Sequence, residues 1–164
     1  EPKSLYPDLA FEWDNLLPSC RRCNEEKSDA DTRSNPIINP AIEDPEQLLT
    51  YSFLRIKPLA GSGQEHKAQQ TIDVCNLNCE RLYKARSELM KSITEYIDEL
   101  KDKINWISEA DTDQKRKIRI TKLKNSIAVI ESLTTAESAY SGYSKWFIQQ
   151  CPEYQEAKRI VDSR

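Results

Sequence analysis

The sequence predicts an α+β protein that is mainly α-helical, on three observations. Seven of the eight prolines lie at or before Pro58, and because proline lacks an amide hydrogen and restricts the preceding residue, the first third should be turns, loops and short strands. Residues 51–57 alternate large apolar with polar side chains, which favours one half-buried strand. From Gln69 onward, apolar residues recur every three or four positions, which indicates amphipathic helices.

The helical part of the chain is predicted to contain a hairpin of two long helices. Asn78 is the expected N-cap of a first helix that ends near Trp106, and Asp111 or Thr112 should cap the second. A short connection between two helices with apolar stripes favours antiparallel packing. We therefore expect an antiparallel helical hairpin.

Two further helices are expected after this hairpin. Thr134 and Glu137 fit a capping box for a third helix, and Pro152 should end it before a short terminal helix near residues 153–161. The third helix carries aromatic residues that either form a docking face or close the helical core, and we prefer core closure: Tyr140, Tyr143, Trp146 and Phe147.

Composition and charge limit the classes of function. With 164 residues, the chain suits a small site-bearing unit over residues 1–64 and a helical scaffold or docking region over residues 65–164. The formal charge of −3 argues against wrapping nucleic acid by bulk electrostatics, so any DNA contact should be local. No apolar run approaches the length of a membrane span, and five cysteines in a pattern unlike a secreted disulfide framework favour the cytoplasm.

One short stretch concentrates the residues that carry chemistry. Cys20-Arg21-Arg22-Cys23 has the spacing of half a tetrahedral zinc site. Asn24 follows at once, and its amide oxygen is a hard ligand of the kind that Mg²⁺ or Mn²⁺ accepts. Lys27 lies one helical turn later, where a cation can meet a phosphate. Asn15 and Asn24 taken singly suit ordinary turn and cap positions, whereas the ordered set favours a site.

Together with Glu1-Pro2-Lys3-Ser4, this stretch resembles the middle and end of the motif of HNH nucleases. The resemblance implies a truncated ββα-metal core, in which Asn15 supports the site and Asn24 closes it as a ligand of Mg²⁺ or Mn²⁺. Lys3, Arg21, Arg22 and Lys27 would contact phosphates of DNA. The histidine that opens the family's motif, and that takes a proton from water, is absent from this chain.

The resemblance extends beyond this core to bacterial HNH proteins of the Septu and retron-associated type. The residues that carry it are Pro36-Ile-Ile-Asn39-Pro40, Asp44-Pro45, Thr71-Ile72, Leu77-Asn78, Leu82 and Arg86. It implies a nuclease that acts with an SMC-like ATPase in defence against phage. Because the motif starts abruptly, we expect the chain to be the remainder of a longer protein, inactive alone; a degenerate relative that binds without cutting is the alternative.

The source of the remaining zinc ligands stays open at this stage. They would come from another Cys-x-x-Cys before Glu1 or from Cys75 and Cys79, and we prefer the first because thiols at a helix start often pack as ordinary hydrophobes. His66, the single histidine, is expected in a loop or at a helix start. Two other functions are considered: a non-catalytic zinc-knuckle module that binds nucleic acid or protein, and an interaction subunit of an ATPase complex.

Overall fold

The computed structural model describes residues 1–163 and is mainly α-helical, with one small sheet, as predicted. Its helices and strands, in chain order, are α1 (Arg21–Lys27), β1 (Leu49–Ser52), β2 (Arg55–Pro58), α2 (Glu65–Val74), α3 (Glu80–Ser108), α4 (Asp113–Ser132), α5 (Ser141–Gln149) and α6 (Pro152–Asp162). Short 3₁₀ turns cover Pro7–Leu9, Trp13–Asn15 and Pro45–Gln47.

The chain divides into two compact units, Glu1–Tyr83 and a second that starts at Lys84. The boundary predicted after residue 64 lies before this observed boundary between Tyr83 and Lys84. Helix α2 belongs to the first unit because Ala68 is fully buried in a small apolar cluster with Ile38 and Leu48. The first unit therefore contains the loops, the sheet and α2.

The sheet of the first unit is an antiparallel hairpin, so the prediction of one strand over residues 51–57 is wrong. Strands β1 and β2 pair from Leu49 opposite Pro58 to Ser52 opposite Arg55. The chain reverses at Phe53, whose φ of 57° lies in the left-handed region. Leu54 follows and is 2% exposed. Apolar and polar residues alternate on either side of the turn, and the pattern imitates a single strand although the consecutive apolar pair Phe53-Leu54 interrupts it.

Asn78 connects the hairpin to the chain that enters α3. Its side-chain oxygen accepts a hydrogen bond from the Ile56 amide at 2.9 Å, and its side-chain nitrogen donates to the Ile56 carbonyl at 2.9 Å. The predicted N-cap role of Asn78 is wrong. Helix α3 begins at Glu80, and the carbonyl of Cys79 accepts the early helical bond from Tyr83 at 3.0 Å. Instead, the side-chain amide of Asn78 makes the two hydrogen bonds with β2 that the main chain of a neighbouring strand would make.

The second unit is built around buried aliphatic residues from four helices. The fully or nearly fully buried members are Ile93, Ile97, Leu100, Ile107, Ile120, Leu123, Ile127, Ile130, Ile148, Tyr154 and Ala157. Thr112 caps α4, because its side chain accepts a hydrogen bond from the amide of Lys115 at 3.3 Å. Helices α3 and α4 thus form the expected hairpin with a short connection.

The end of the second unit differs in part from prediction. Helix α5 begins at Ser141, and the Thr134 hydroxyl donates to the Glu131 carbonyl at 2.7 Å, so the predicted capping box of Thr134 and Glu137 is wrong. Tyr143 is fully buried and stacks on Phe147 with ring centroids 6.0 Å apart. Tyr143 and Phe147 therefore help to close the core, whereas Tyr140 is 38% exposed. The terminal helix is present as α6.

None of the helices in the described part of the chain has the length and apolar character to cross a bilayer.

Replacement of Asn78 by alanine should destabilise the first unit. Asn78→Ala removes both hydrogen bonds to Ile56 and leaves half-buried main-chain groups without these partners, at a cost of about 1–3 kcal/mol. Urea denaturation should show this loss, and the Ile56 amide should exchange its hydrogen faster. Asn105→Ala, on the exposed side of α3, is the matched control and should change stability little. Equal stability of the two variants would contradict the role of Asn78.

Candidate functional site

The first residues of the chain are held by the side chain of Asn15. Its amide nitrogen donates to the carbonyls of Leu9 at 3.0 Å and Glu1 at 3.1 Å. Its amide oxygen accepts a hydrogen bond from the main-chain nitrogen of Glu1. Both ends of the amide are thus engaged with residues 1–9, and Asn15 has a positioning role in this segment.

A second polar cluster ties the same segment to the loop after α1. The carboxylate of Asp31 accepts hydrogen bonds from the Tyr6 hydroxyl at 3.0 Å and from the amides of Arg33 and Ser34 at 3.1 and 3.2 Å. These bonds, those with Ser34 foremost, lower the pKa of Asp31 to about 2. The Arg33 guanidinium lies 4.3 Å from the Tyr6 ring centre and pairs with Glu1 at 2.8 Å. The sequence reasoning missed this cluster, although an aspartate that binds amides two and three residues later is a recognisable turn signal.

Helix α1 starts at the cysteine pair. Cys20 is its N-cap, and the thiol sulfur accepts a hydrogen bond from the Cys23 amide at 3.3 Å. The hydrogen bond with the Cys23 thiol lowers the pKa of Cys20, whereas burial raises the pKa of Cys23 to about 11. The Arg81 guanidinium lies 4.0 Å from the Cys23 sulfur. Cys20 is therefore the exposed and more acidic thiol of the pair.

Arg81 is a residue that the sequence analysis did not find. It lies 58 positions after Cys23 at the start of α3, and no local pattern connects the two. The thiols of Cys79, Cys20 and Cys23 all raise the pKa of Arg81. The positive charge of Arg81 in turn favours the thiolate form of both Cys20 and Cys23.

The remaining predicted residues lie along α1 or at the chain start. Asn24 is exposed, and its side chain makes no hydrogen bond within the described residues. Lys27 is half-buried and close enough to Cys75 to lower the pKa of that thiol, which burial raises. Arg21 is 91% exposed and pairs with Glu25 at 2.7 Å, and Arg22 and Lys3 are exposed.

The predicted site residues of α1 lie together because they are neighbours along the chain, and the structure does not join Asn15 to them. The cysteine pair, Asn24 and Lys27 share α1 and its cap, with Arg21 and Arg22 on the same short helix. No hydrogen bond described in residues 1–163 joins Asn15 to Asn24. The amide of Asn15 faces the main chain of the first nine residues, whereas the amide of Asn24 faces solvent.

The donor groups present do not complete a metal site. Within residues 1–163, no three side chains of His, Cys, Asp or Glu are grouped so that they could hold an ion. Cys20 and Cys23 supply half of a tetrahedral zinc site, and Asn24 supplies a single hard oxygen. His66 is exposed near the start of α2, as expected. The described residues therefore supply only part of the ligand set that either ion needs.

These features describe a small loop-and-hairpin unit with a thiol-capped helix, continued by a helical unit. No family model matches the chain, and no solved structure matches it. The chain is 40% identical over 77 residues to the Septu protein PtuB of Bacillus thuringiensis. The match covers 47% of this chain but only 28% of that protein, less than a third of its length. This similarity supports the resemblance to Septu proteins that the motif residues carry.

The two thiols of the pair should differ in reactivity. In metal-free protein, iodoacetamide should modify Cys20 well before Cys23, because the pKa of Cys20 is lowered and that of Cys23 is raised to about 11. The rate at Cys20 should rise with pH until its thiolate form is complete. Mass spectrometry of peptides gives both rates. Cys23→Ala, which removes the donor, should slow the reaction at Cys20, whereas Cys151→Ala should leave it unchanged, and equal rates at the two cysteines would contradict the geometry.

Proposed function

We propose that this protein is the nuclease component of a bacterial defence system, an HNH-type endonuclease that hydrolyses DNA with Mg²⁺ or Mn²⁺. The observation that carries the nuclease proposal is the arrangement on α1, where an exposed and unengaged Asn24 lies one turn before Lys27 on a helix capped by Cys20. The defence role rests on the similarity to the Septu protein PtuB and on the motif resemblance.

Each residue of the proposed site has a defined task. The amide oxygen of Asn24 offers a hard donor, and the ammonium group of Lys27 offers a positive charge for a phosphate. Lys3, Arg21 and Arg22 add exposed cations around them. Asn15 holds the segment that contains Lys3 in place through its bonds to Glu1 and Leu9. A divalent cation, when bound, would stabilise the charge that develops on the leaving 3′ oxygen.

The resemblance also leads us to propose that residues 1–164 by themselves do not cut DNA. The family's general base is a histidine just before the Pro-Lys pair, and the single histidine of this sequence is His66 on α2. Hydrolysis at neutral pH needs a group that takes a proton from water. The activity assay should therefore use the protein in its natural full length.

Replacement of Asn24 should reduce cleavage strongly. With supercoiled plasmid and Mg²⁺ or Mn²⁺, Asn24→Ala in the full-length protein should lower the nicking rate roughly 100-fold, since a donor next to the proposed cation is lost. EDTA should abolish nicking by the unmodified protein. Asn105→Ala, which removes an exposed amide from α3, is the matched control and should cut normally. Undiminished cutting by Asn24→Ala would remove the role assigned to Asn24.

We also propose that Cys20 and Cys23 bind structural zinc together with two further ligands. The half site is in place at the start of α1, and the charge of Arg81 favours thiolates there. Elemental analysis of the full-length protein should find roughly one zinc ion per chain. Cys20→Ser combined with Cys23→Ser should lose it, and Cys151→Ser should retain it. Absence of zinc, with free alkylation of Cys20 in the native protein, would contradict this proposal.

A second candidate function is a zinc-knuckle module that binds without cutting. The exposure of Arg21, 91% at its side chain, favours this alternative because it places a cation, paired with the exposed Glu25, at the tip of the knuckle within reach of a partner. An SMC-like ATPase is the protein partner that the resemblance implies. DNA binding or ATPase binding by a full-length protein that never nicks plasmid would favour the module over the nuclease.

A further inference from the structure

Helix α4 carries charge of one sign along most of its length. Between Asp113 and Glu131 it has six basic residues and no acidic residue: Lys115, Arg116, Lys117, Arg119, Lys122 and Lys124. The whole chain has a net charge of −3. Exposed helical faces commonly mix both signs so that neighbouring turns form ion pairs, as α3 does with Glu99 and Lys103 at 3.0 Å. The charge on α4 is therefore concentrated rather than balanced.

Most of the basic side chains of α4 lie on two opposite flanks of the helix, to either side of its solvent-facing surface. Ile120, Leu123, Ile127 and Ile130 are the buried positions of this helix. Arg119 is half-buried, and the other five basic residues are exposed. At 3.6 residues per turn, Lys117 and Lys124 form one stripe, and Lys115, Arg119 and Lys122 form another. Ile118, which is 51% exposed, lies between the stripes.

Few of these charges are neutralised in the structure. Within residues 1–163, Lys115 is the one member of the set with a carboxylate partner, Asp111 at 2.9 Å. Arg119 and Lys122 lie over the ring of Trp106, 4.4 and 5.0 Å from its centre. A cation–π contact holds a cation in place without cancelling its charge, because the ring is neutral. The stripe of Lys117 and Lys124 has no described side-chain partner at all.

We propose that the solvent-exposed face of α4, flanked by these two basic stripes, binds the phosphodiester backbone of duplex DNA. Rows of lysine and arginine replace the counterions of a polyanion, and the gain is independent of base sequence. A local cationic face also explains how a chain with a net negative charge can contact DNA. The choice of DNA among polyanions rests on the proposed nuclease function, whereas the presence of an anion-binding face rests on α4 alone.

The test measures binding rather than cutting. A fluorescein-labelled random duplex of about 25 base pairs, long enough to cover one face of the protein, is titrated in EDTA over a range of salt concentrations. Lys117→Gln combined with Lys124→Gln removes one stripe, and glutamine preserves helix formation. Lys91→Gln combined with Lys101→Gln is the matched control, because both lysines are exposed on α3 and the change in net charge is identical.

The α4 double variant should bind the duplex about tenfold more weakly, with a salt slope shallower by about two, while the α3 control changes little. Equal affinity and slope for the α4 variant and the unmodified protein would overturn the proposal. Displacement of the duplex by poly-glutamate at a lower charge-equivalent concentration than by unlabelled DNA would also overturn it, in favour of an acidic protein partner.

The nicking assay and the binding assay can contradict the nuclease proposal and the α4 proposal independently. A protein that never nicks plasmid, but whose α4 variant loses DNA binding, contradicts the nuclease proposal and supports the α4 face. A protein that nicks plasmid, and whose α4 variant binds DNA normally, contradicts the α4 face alone. Circular dichroism of each variant shows that its helices are intact, so weaker binding reports lost contacts.

Discussion

The first unit depends on hydrogen bonds from polar side chains to the main chain. Its group of buried apolar residues is small: Ile38, Leu48, Leu54, Ala68, Ile72 and Leu82. Such a cluster cannot by itself order long stretches of loop, because each ordered residue costs conformational entropy. Asn15, Asp31 and Asn78 each use their short polar side chains to hold two or three main-chain groups that no sheet or helix satisfies.

This way of building the unit determines how the candidate site is supported. Helix α1 has seven residues, and helices of that length are marginal on their own in water. Its position depends on the thiol cap of Cys20 and on the approach of Arg81 to Cys23. The positions of Asn24 and Lys27 therefore depend on Cys20 at the start of α1 and on Arg81, which is distant in the sequence. A zinc ion bound to Cys20 and Cys23 would stabilise the start of this short helix.

Charge is distributed unevenly between the elements that the proposals invoke. On α1, Glu25 and Glu26 offset part of the charge of Arg21, Arg22 and Lys27, so the candidate catalytic helix is only weakly cationic. On α4 the six basic residues meet no acidic residue within their own stretch. The two proposals thus assign DNA affinity mainly to α4 and hydrolysis to α1. The net charge of the whole chain predicts neither property.

The sequence by itself determined the helical content, the hairpin of α3 and α4, a cap at Asp111 or Thr112 and the terminal helix, because apolar periodicity and capping are encoded within a few residues of one another. The sequence also identified the Cys20-x-x-Cys23 run, with Asn24 directly after it, as the candidate site. Only the tertiary structure decided that residues 51–57 turn back as a hairpin, that Asn78 binds β2 instead of capping α3, and that Arg81 approaches Cys23. Those contacts join residues 22 and 58 positions apart, and the physical forces that select them act through packing across the folded chain rather than along the sequence.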